Sequence, residues 1–369
     1  MRHHRIRWAT DLLFPLLLVS ACAGPPAPAD QPAAGATAEG FVPAWHPQES
    51  GTTASLRGLS VVSREVAWAS GSGGTFARTT DGGATWQADT VPGASALDFR
   101  DVHAVDARTT YLLSAGEGER SRIYKTSDGG RSWRLQYTNP HPEGFFDGFA
   151  FWDAENGIAY SDPVEGRFLL ITTSDGGASW HEIPRESLPP ALPGEAGFAA
   201  SGTGIVVQGD HVWFGTGGGA VARIFRSTDR GRTWTAAETP LRAGAASSGI
   251  FSLAFWDARN GVAVGGDYTE RAEARQNVAR TMDGGRTWTR IEGAPPRGYR
   301  SGVAFIPGSP GPALVAVGTS GSDYSPDGGR SWLPIDTLAY NSVDFAAPNA
   351  GWAVGPGGRI ARYARSAAP

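Results

Sequence analysis

The stretch Thr79-Thr80-Asp81-Gly82-Gly83-Ala84-Thr85-Trp86 is one of six copies of the pattern Ser/Thr-x-Asp-x-Gly-x-x-Trp in this 369-residue chain. The copies recur at intervals of 44 to 54 residues, and short runs of strand-forming residues lie between them. Their aspartates are Asp81, Asp128, Asp175, Asp229, Asp283 and Asp327. A repeat of this length built from short strands predicts an all-β propeller whose blades are four-stranded sheets.

Each copy has the residue types of a tight turn between two strands. An Asp side chain accepts hydrogen bonds from backbone N–H groups two or so residues further on, and the following Gly supplies a positive φ. The Trp opens the return strand and covers the turn with a large apolar surface. Six equivalent copies argue against a catalytic or ligand-binding role, because functional sites are usually single. We therefore expect the six aspartates to be structural.

The number of blades follows from the second strand of each repeat, which is flanked by glycine. Seven such strands are predicted, at 66–71, 110–116, 157–162, 212–215, 261–266, 314–318 and 351–355. The seventh repeat reaches its third strand at 358–363, so its Asp turn and outer strand would fall beyond Pro369. We expect a strand around Trp45 to pair into the last blade and close the ring, which removes a free sheet edge. The predicted seven-bladed propeller covers residues 43–366.

The first 42 residues have a different character. Three arginines precede a short apolar stretch at 12–19, which is too short to span a bilayer, so residues 1–21 are predicted to be a signal peptide. Val19-Ser20-Ala21-Cys22 resembles a bacterial lipobox, in which Cys22 becomes the lipidated first residue. Ordinary secretory cleavage and a buried thiol are the alternatives. Residues 22–42 are rich in Ala, Pro and Gly and are predicted to be a flexible tether.

Composition agrees with an exported β protein. Cys22 is the only cysteine, so an intrachain disulfide is impossible. The net charge of −4 argues against non-specific binding of nucleic acid. Ala23 follows Cys22 where an Asp would favour retention at the inner membrane. We therefore predict a lipid anchor in the bacterial outer membrane, with the propeller facing the periplasm.

A ligand site is expected on the face where first strands begin and second strands end. The Asp turns lie on the opposite face, and the residues of this face vary from blade to blade, whereas the Asp turns do not. The candidates are Arg57, Arg100, Asp147, Asp162, Glu195, Asp267, Tyr268 and Arg300. The long connections 181–198, 236–250 and 267–277 are expected to form a lid or a wall there. The alternative is a solvated rim of ordinary ion pairs.

These features resemble a known family. The Asp turns resemble the Asp-box (BNR) repeat, and over residues 44–364 the blades resemble the seven-bladed photosystem II stability/assembly factor group. The segments 146–153, Ser161-Asp162-Pro163-Val164 and Gly265-Gly266-Asp267-Tyr268 are similar to its heterotrophic bacterial branch, whose members are often labelled oxidoreductase or glycosyl hydrolase. The resemblance implies an exported, non-catalytic propeller that binds a protein, a glycan or another ligand in the cell envelope.

A sialidase-like glycoside hydrolase is the first alternative, because sialidases also carry Asp boxes. Arg57, Arg100 and Arg300 would hold a substrate carboxylate, and Tyr268 with Glu270 would form the nucleophile pair. Against this, sialidases have six blades, and their Arg-Ile-Pro signature is absent here. A two-carboxylate mechanism would instead need candidate carboxyl groups about 5–9.5 Å apart.

An oxidoreductase is the second and weaker alternative. The chain has no Gly-x-Gly-x-x-Gly between a strand and a helix and no Cys-x-x-Cys-His for haem. Its histidines are scattered without metal-ligand spacing, and His103 is expected to be a packed core residue. No cofactor and no metal are therefore predicted.

Overall fold

The computed structural model describes residues 40–367, which form seven antiparallel sheets arranged as a seven-bladed β-propeller. The predicted signal peptide, Cys22 and most of the predicted tether lie outside the described residues. Strand β1 begins at Phe41, two residues inside that tether, and the last strand ends at Ala367. The described propeller therefore extends slightly beyond the predicted range at both ends.

Every blade has an inner, a second and a third strand joined by hairpins. The inner strands are β2 (Leu56–Val61), β6 (Asp98–Ala104), β10 (Phe146–Phe151), β14 (Ile205–Gln208), β18 (Ser248–Phe255), β21 (Gly302–Phe305) and β25 (Ser342–Ala347). The second strands are β3 (Ala67–Gly71), β7 (Thr110–Ala115), β11 (Gly157–Val164), β15 (His211–Gly215), β19 (Gly261–Asp267), β22 (Leu314–Gly318) and β26 (Ala350–Val354). The third strands are β4 (Thr75–Thr79), β8 (Arg122–Thr126), β12 (Arg167–Thr173), β16 (Arg223–Ser227), β20 (Val278–Thr281), β23 (Gly321–Ser325) and β27 (Ile360–Ala367).

The outer strands differ more between blades. They are β5 (Gln87–Thr90), β9 (Arg134–Thr138), β13 (His181–Glu182), β17 (Thr235–Glu238), β24 (Leu333–Asp336) and, in blade 7, β1 (Phe41–Gln48). Blade 5 corrects the expectation of four strands in every blade, because its sheet contains only β18, β19 and β20. Its outer position is reduced to an isolated bridge between Arg280 and Thr289. Three short 3₁₀ helices complete the described elements, at Gly118–Arg120, Arg185–Ser187 and Pro356–Gly358.

The hydrophobic core is divided among the interfaces between blades. Seven clusters of buried side chains each join two neighbouring blades, and the second strands β3, β22 and β26 are buried throughout. Each sheet therefore buries both faces against its neighbours. This is why the second strands are nearly continuous runs of apolar and small residues.

The N-terminal strand closes the ring, as predicted. Strand β1 pairs antiparallel with β27, with Trp45 opposite Tyr363. The indole of Trp45 donates to Ser322 Oγ in blade 6 at 2.9 Å. Gln48 Oε1 accepts from the indoles of Trp86 in blade 1 and Trp352 in blade 7, at 3.0 and 2.9 Å. One strand therefore connects three consecutive blades.

The Asp turns join the third to the fourth strands and are built from their own side chains. Asp81 Oδ1 accepts from Thr79 Oγ1 at 2.8 Å and from the N–H of Thr85 at 2.9 Å. Gly83 has φ +82°, and its N–H donates to Thr79 Oγ1 at 2.8 Å. The backbone donor to the carboxylate thus lies four residues on, and not about two as predicted. Hydrogen bonds from Thr85 and Thr79 lower the pKa of Asp81 to about 2.

Candidate functional site

The central feature of the face opposite the Asp turns is a run of nine small or apolar residues, 196–204, here called the axial segment. It leads into the inner strand of blade 4, and it bonds to the inner strands of other blades. The carbonyl of Ala199 accepts from Arg100 of blade 2 at 2.9 Å, and the carbonyl of Ser201 accepts from Ser342 of blade 7 at 2.8 Å. The carbonyl of Thr203 accepts from the N–H of Leu253 in blade 5 at 2.9 Å. The segment therefore lies inside the ring and fills this end of the channel.

Glycine permits this close approach. Gly202 has φ +77°, and a Cβ at this position would overlap the carboxylate of Asp101. A Cβ at Gly197 would overlap the carboxylate of Asp147 in the same way. The axial segment thus packs its backbone directly against buried acidic side chains.

An aromatic cluster anchors the other side of the axial segment. The ring of Phe198 stacks on Phe251 of β18 with centroids 3.9 Å apart, and Tyr299 meets Phe251 edge-on at 4.8 Å. Ala200 completes this cluster. Burial raises the pKa of Tyr299, so its hydroxyl stays neutral at physiological pH. The cluster gives the segment apolar contacts in addition to its hydrogen bonds.

Three carboxyl groups lie beneath the axial segment. Asp101 Oδ1 and Oδ2 accept from the N–H groups of Val102 and Phe149 at 2.7 and 2.9 Å. Asp162 Oδ1 accepts from the N–H of Gly197 at 2.7 Å. Burial raises the pKa of Asp162 to about 6, and it raises the pKa of Asp101 well above its usual value. Burial and repulsion by Asp162 do the same to the pKa of Asp147.

Two of the predicted arginines meet at the edge of this cluster. Arg100 bonds to Asp98 at 2.6 Å and keeps 28% of its side chain exposed. Arg57 lies beside Arg100, Asp98 and Tyr299, and burial and the charge of Arg100 lower its pKa. Within residues 40–367, no hydrogen bond or ion pair satisfies the Arg57 guanidinium. The pair is therefore a partly desolvated positive site with unused donors.

The other predicted residues are held by local partners. Glu195 is buried and accepts from Arg223 Nε at 2.9 Å and from Thr216 at 2.6 Å. Asp267, exposed by 3%, accepts from the N–H of Thr269 at 2.9 Å. Arg300, exposed by 1%, donates to Asp323 of β23 at 2.8 Å. Each of these charged groups therefore has a hydrogen-bond partner within the fold.

The constellation of a sialidase is not assembled. Arg300 is committed to Asp323, so the three arginines do not form one cluster. Tyr268 is 46% exposed and meets Phe251 edge-on, whereas Glu270 pairs with Arg242 at 2.9 Å. The structure therefore does not bring the predicted Tyr268 and Glu270 pair together. Asp147 is 2% exposed beneath the axial segment, which leaves it little access to a substrate.

The first of the predicted long connections, 181–198, packs along the side of two blades. The N–H of Ala191 donates to the carbonyl of Gly166 at 2.9 Å, and the carbonyl of Pro190 accepts from Arg223 at 2.9 Å. This part lies along blades 3 and 4 and forms a wall. Residues 196–198 of the axial segment belong to this predicted connection, but the course of 199–204 through the ring was not predicted from the sequence. Sequence reasoning also missed Asp101 and Tyr299.

Two further expectations concern histidine and metal. His103 stacks on Phe151 with centroids 4.8 Å apart; it is half-buried, and burial lowers its pKa to about 4. No group of three or more His, Cys, Asp or Glu side chains suited to a metal ion occurs in the described part of the chain. No helix among residues 40–367 is long and apolar enough to span a membrane.

The fold and this face define a class: a seven-bladed β-propeller whose axis is filled at one end by its own chain. Among solved structures, it is similar to YCF48 bound to D1 peptide, with a TM-score of 0.60 and 16% identity over 86% of this chain and 96% of that one. YCF48 from Cyanidioschyzon merolae gives a TM-score of 0.61 and 15% identity over 87% and 98%.

The WD40 propeller domain of Doa1 is also similar, with a TM-score of 0.57 and 12% identity over 87% of this chain and 97% of that one. No protein-family model matches the chain, and no curated protein sequence matches it. At these identities the likeness shows the shared propeller fold alone.

Proposed function

We propose that this protein is a non-catalytic binding propeller that holds a protein partner on the face of the axial segment. The observation that carries the proposal is Arg57, a largely buried cation next to Arg100 whose guanidinium has no acceptor among the described residues. A carboxylate from a partner would satisfy its donors and relieve the repulsion between the two arginines. Tyr268 adds an exposed aromatic ring nearby in the fold, of the kind enriched in protein interfaces.

Two further observations support protein binding over catalysis. The axial segment covers Asp147, and Asp267 accepts from the N–H of Thr269. Glu143, Asp162 and Glu195 line a groove of about 530 Å³, but Glu195 there is already paired with Arg223. YCF48, which shares the fold, has been captured with a D1 peptide. A protein partner therefore suits this face better than a glycan substrate does.

Replacing Arg57 and Arg100 together by alanine is expected to weaken partner binding about tenfold or more, because two charge-assisted contacts are lost. The chain without residues 1–22 would first capture a partner from a membrane extract. The partner would then be purified and its dissociation constant measured by interferometry. Arg64→Ala is the matched control, since Arg64 is exposed on the opposite face, between β2 and β3. Equal partner binding by the Arg57/Arg100 double variant and the Arg64→Ala control contradicts the proposal. Turnover of a fluorogenic glycoside panel by the wild type also contradicts it.

We also propose that the protein is exported and anchored through Cys22 to the cell envelope, facing the periplasm. Replacing Cys22 with serine is expected to move the protein from the membrane fraction to the soluble fraction and to abolish labelling by radioactive palmitate. The motif Val19-Ser20-Ala21-Cys22 is the reason for the expectation. Replacing Ser20 with alanine serves as the control. Unchanged fractionation of the serine variant would rule out the lipid anchor.

A further inference from the structure

Blade 5 is the one blade of the described propeller whose sheet has no outer strand. Strand β20 bonds outward through a single residue: Arg280 and Thr289 exchange two backbone hydrogen bonds of 2.9 Å. The backbone of Asn277 points inward, toward β19, because its carbonyl accepts from the N–H of Gly265 at 2.9 Å. Backbone groups alternate along a strand, so the N–H and C=O of Val278 point outward, like those of Arg280.

Those outward groups of Val278 face a groove. Beyond Thr289 the chain leaves the edge of β20, and Asn277 holds the departing segment by donating to the carbonyls of Pro296 and Gly298 at 2.8 and 2.7 Å. The resulting groove has a volume of about 710 Å³. No hydrogen bond from elsewhere in residues 40–367 reaches the outward N–H and C=O of Val278. An edge of this kind is a template for another strand.

Blade 1 shows what the ordinary arrangement is. There the third strand β4 is paired with β5 from Thr75 to Arg78, and Phe76 lies opposite Asp89. The backbone N–H and C=O of Phe76 point outward, because the carbonyl of Gly74, two residues earlier, accepts from the N–H of Val91 at 2.9 Å. Phe76 is thus the counterpart of Val278 in a blade with a complete outer strand.

The charge of the groove indicates what it would accept. Its lining includes three arginines and one glutamate, which are Arg242, Arg275, Arg290 and Glu270. Arg242 pairs with Glu270 at 2.9 Å, and Arg275 pairs with Glu273 at 2.7 Å. Arg290 is exposed and forms no hydrogen bond or ion pair with another described residue. A carboxylate on the incoming strand would therefore find an unused guanidinium.

We propose that an extended peptide segment carrying acidic side chains adds as a strand to the edge of β20. Its backbone bonds to the N–H and C=O of Val278, and one of its carboxylates pairs with Arg290. This is strand addition, in which main-chain hydrogen bonds supply affinity and the flanking side chains supply selectivity. The groove lies on the outer side of blade 5, so this inference does not depend on the function proposed for Arg57 and Arg100.

The test uses the full propeller and a soluble synthetic peptide of about eight alternating threonine and glutamate residues, the length of a typical strand. Residue-resolved amide hydrogen exchange is the readout. Without peptide, the Val278 amide is expected to exchange about a hundredfold faster than that of Phe76. With peptide, exchange at Val278 is expected to slow about tenfold or more, while exchange at Phe76 does not change.

Matched variants separate the two contacts. Arg290→Glu is expected to weaken peptide binding about tenfold, whereas Arg259→Glu, an exposed arginine in another loop of the same blade, is expected to leave it unchanged. Val278→Pro removes the N–H donor and is expected to weaken peptide binding. If the Val278→Pro protein fails to fold, Arg290→Glu still tests the proposal. Unchanged exchange at Val278, or equal protection by a threonine–lysine peptide, overturns the proposal. Protection that rises with protein concentration alone assigns the edge to a second copy and also overturns it.

Discussion

Deleting residues 1–48 is expected to leave a protein that aggregates or melts roughly 10 °C or more below the wild type, whereas deleting residues 1–39 leaves its stability unchanged. The first deletion removes β1, with its eight pairings to β27. It also removes Phe41 and Trp45 from the core between blades 6 and 7, a loss on the order of 5 kcal/mol. The edge of β27 that this deletion exposes is a site for aggregation.

Differential scanning calorimetry and light scattering of the two deletions provide the measurement. Gln48→Ala gives a graded version of the same effect, because the indoles of Trp86 and Trp352 both lose their acceptor. We expect it to lower stability by about 2 kcal/mol, since buried donors are left unpaired. Equal melting temperatures for the two deletions would show that ring closure by β1 is not what stabilises the propeller.

Acidification from pH 7.5 to pH 4.5 is expected to stabilise the protein by several kcal/mol, the reverse of ordinary acid denaturation. Burial raises the folded-state pKa of Asp162 and of Asp344 to about 6, above the ordinary value of 3.8. Each group therefore contributes full stability below about pH 4 and loses it as pH rises through about 6. The loss is on the order of 3 kcal/mol for each. Asp101 and Asp147 act in the same direction.

The Asp turns oppose this trend at lower pH. Hydrogen bonds from the turn residues lower the pKa of Asp81, Asp128 and Asp175 to about 2, so their contribution is present above about pH 4 and is lost as pH falls through 2. Stability is therefore expected to peak near pH 4. Urea unfolding between pH 3 and pH 8 measures the curve directly.

Asparagine variants test the origin of this pH dependence. Asp162→Asn and Asp344→Asn are expected to raise stability at pH 7.5 and to flatten the curve, because an amide cannot ionise and keeps an acceptor oxygen. Asp89→Asn, on an exposed position of β5, is the control and should leave the curve unchanged. Stability that rises steadily from pH 5 to pH 8 would show that these carboxyl groups are ionised in the fold at little cost.

The Asp turns and the closing strand β1, on which these two predictions partly rest, could both be found from the sequence. The Asp turns were recognised because every partner of Asp81 lies within four residues of it, so the pattern of residue types already contains the structure. Ring closure by β1 was predicted by counting, because the last repeat lacks an outer strand and the first is preceded by an extra one. The seven blades followed from the same count.

The candidate site depends on contacts that no local pattern contains. Ser342 bonds to Ser201, 141 residues away in the chain, and Asp162 bonds to Gly197, 35 residues away. Neither contact has a spacing or residue type that marks it in advance. Arg57 and Arg300 both lie near the start of an inner strand, yet only Arg300 forms an ion pair among the described residues, with Asp323. Whether an arginine is free or paired is decided by the strand beside it.

By itself, then, the sequence determined the seven-bladed ring, its closing strand and the positions of the Asp turns, because these depend on short-range hydrogen bonding and on the count of repeats. Only the tertiary structure decided that the axial segment fills the channel and that blade 5 lacks its outer strand. It also decided that Arg57 keeps free donors while Arg300 does not. These outcomes depend on which distant side chains share a small buried volume, and that is set by the packing of all seven blades together.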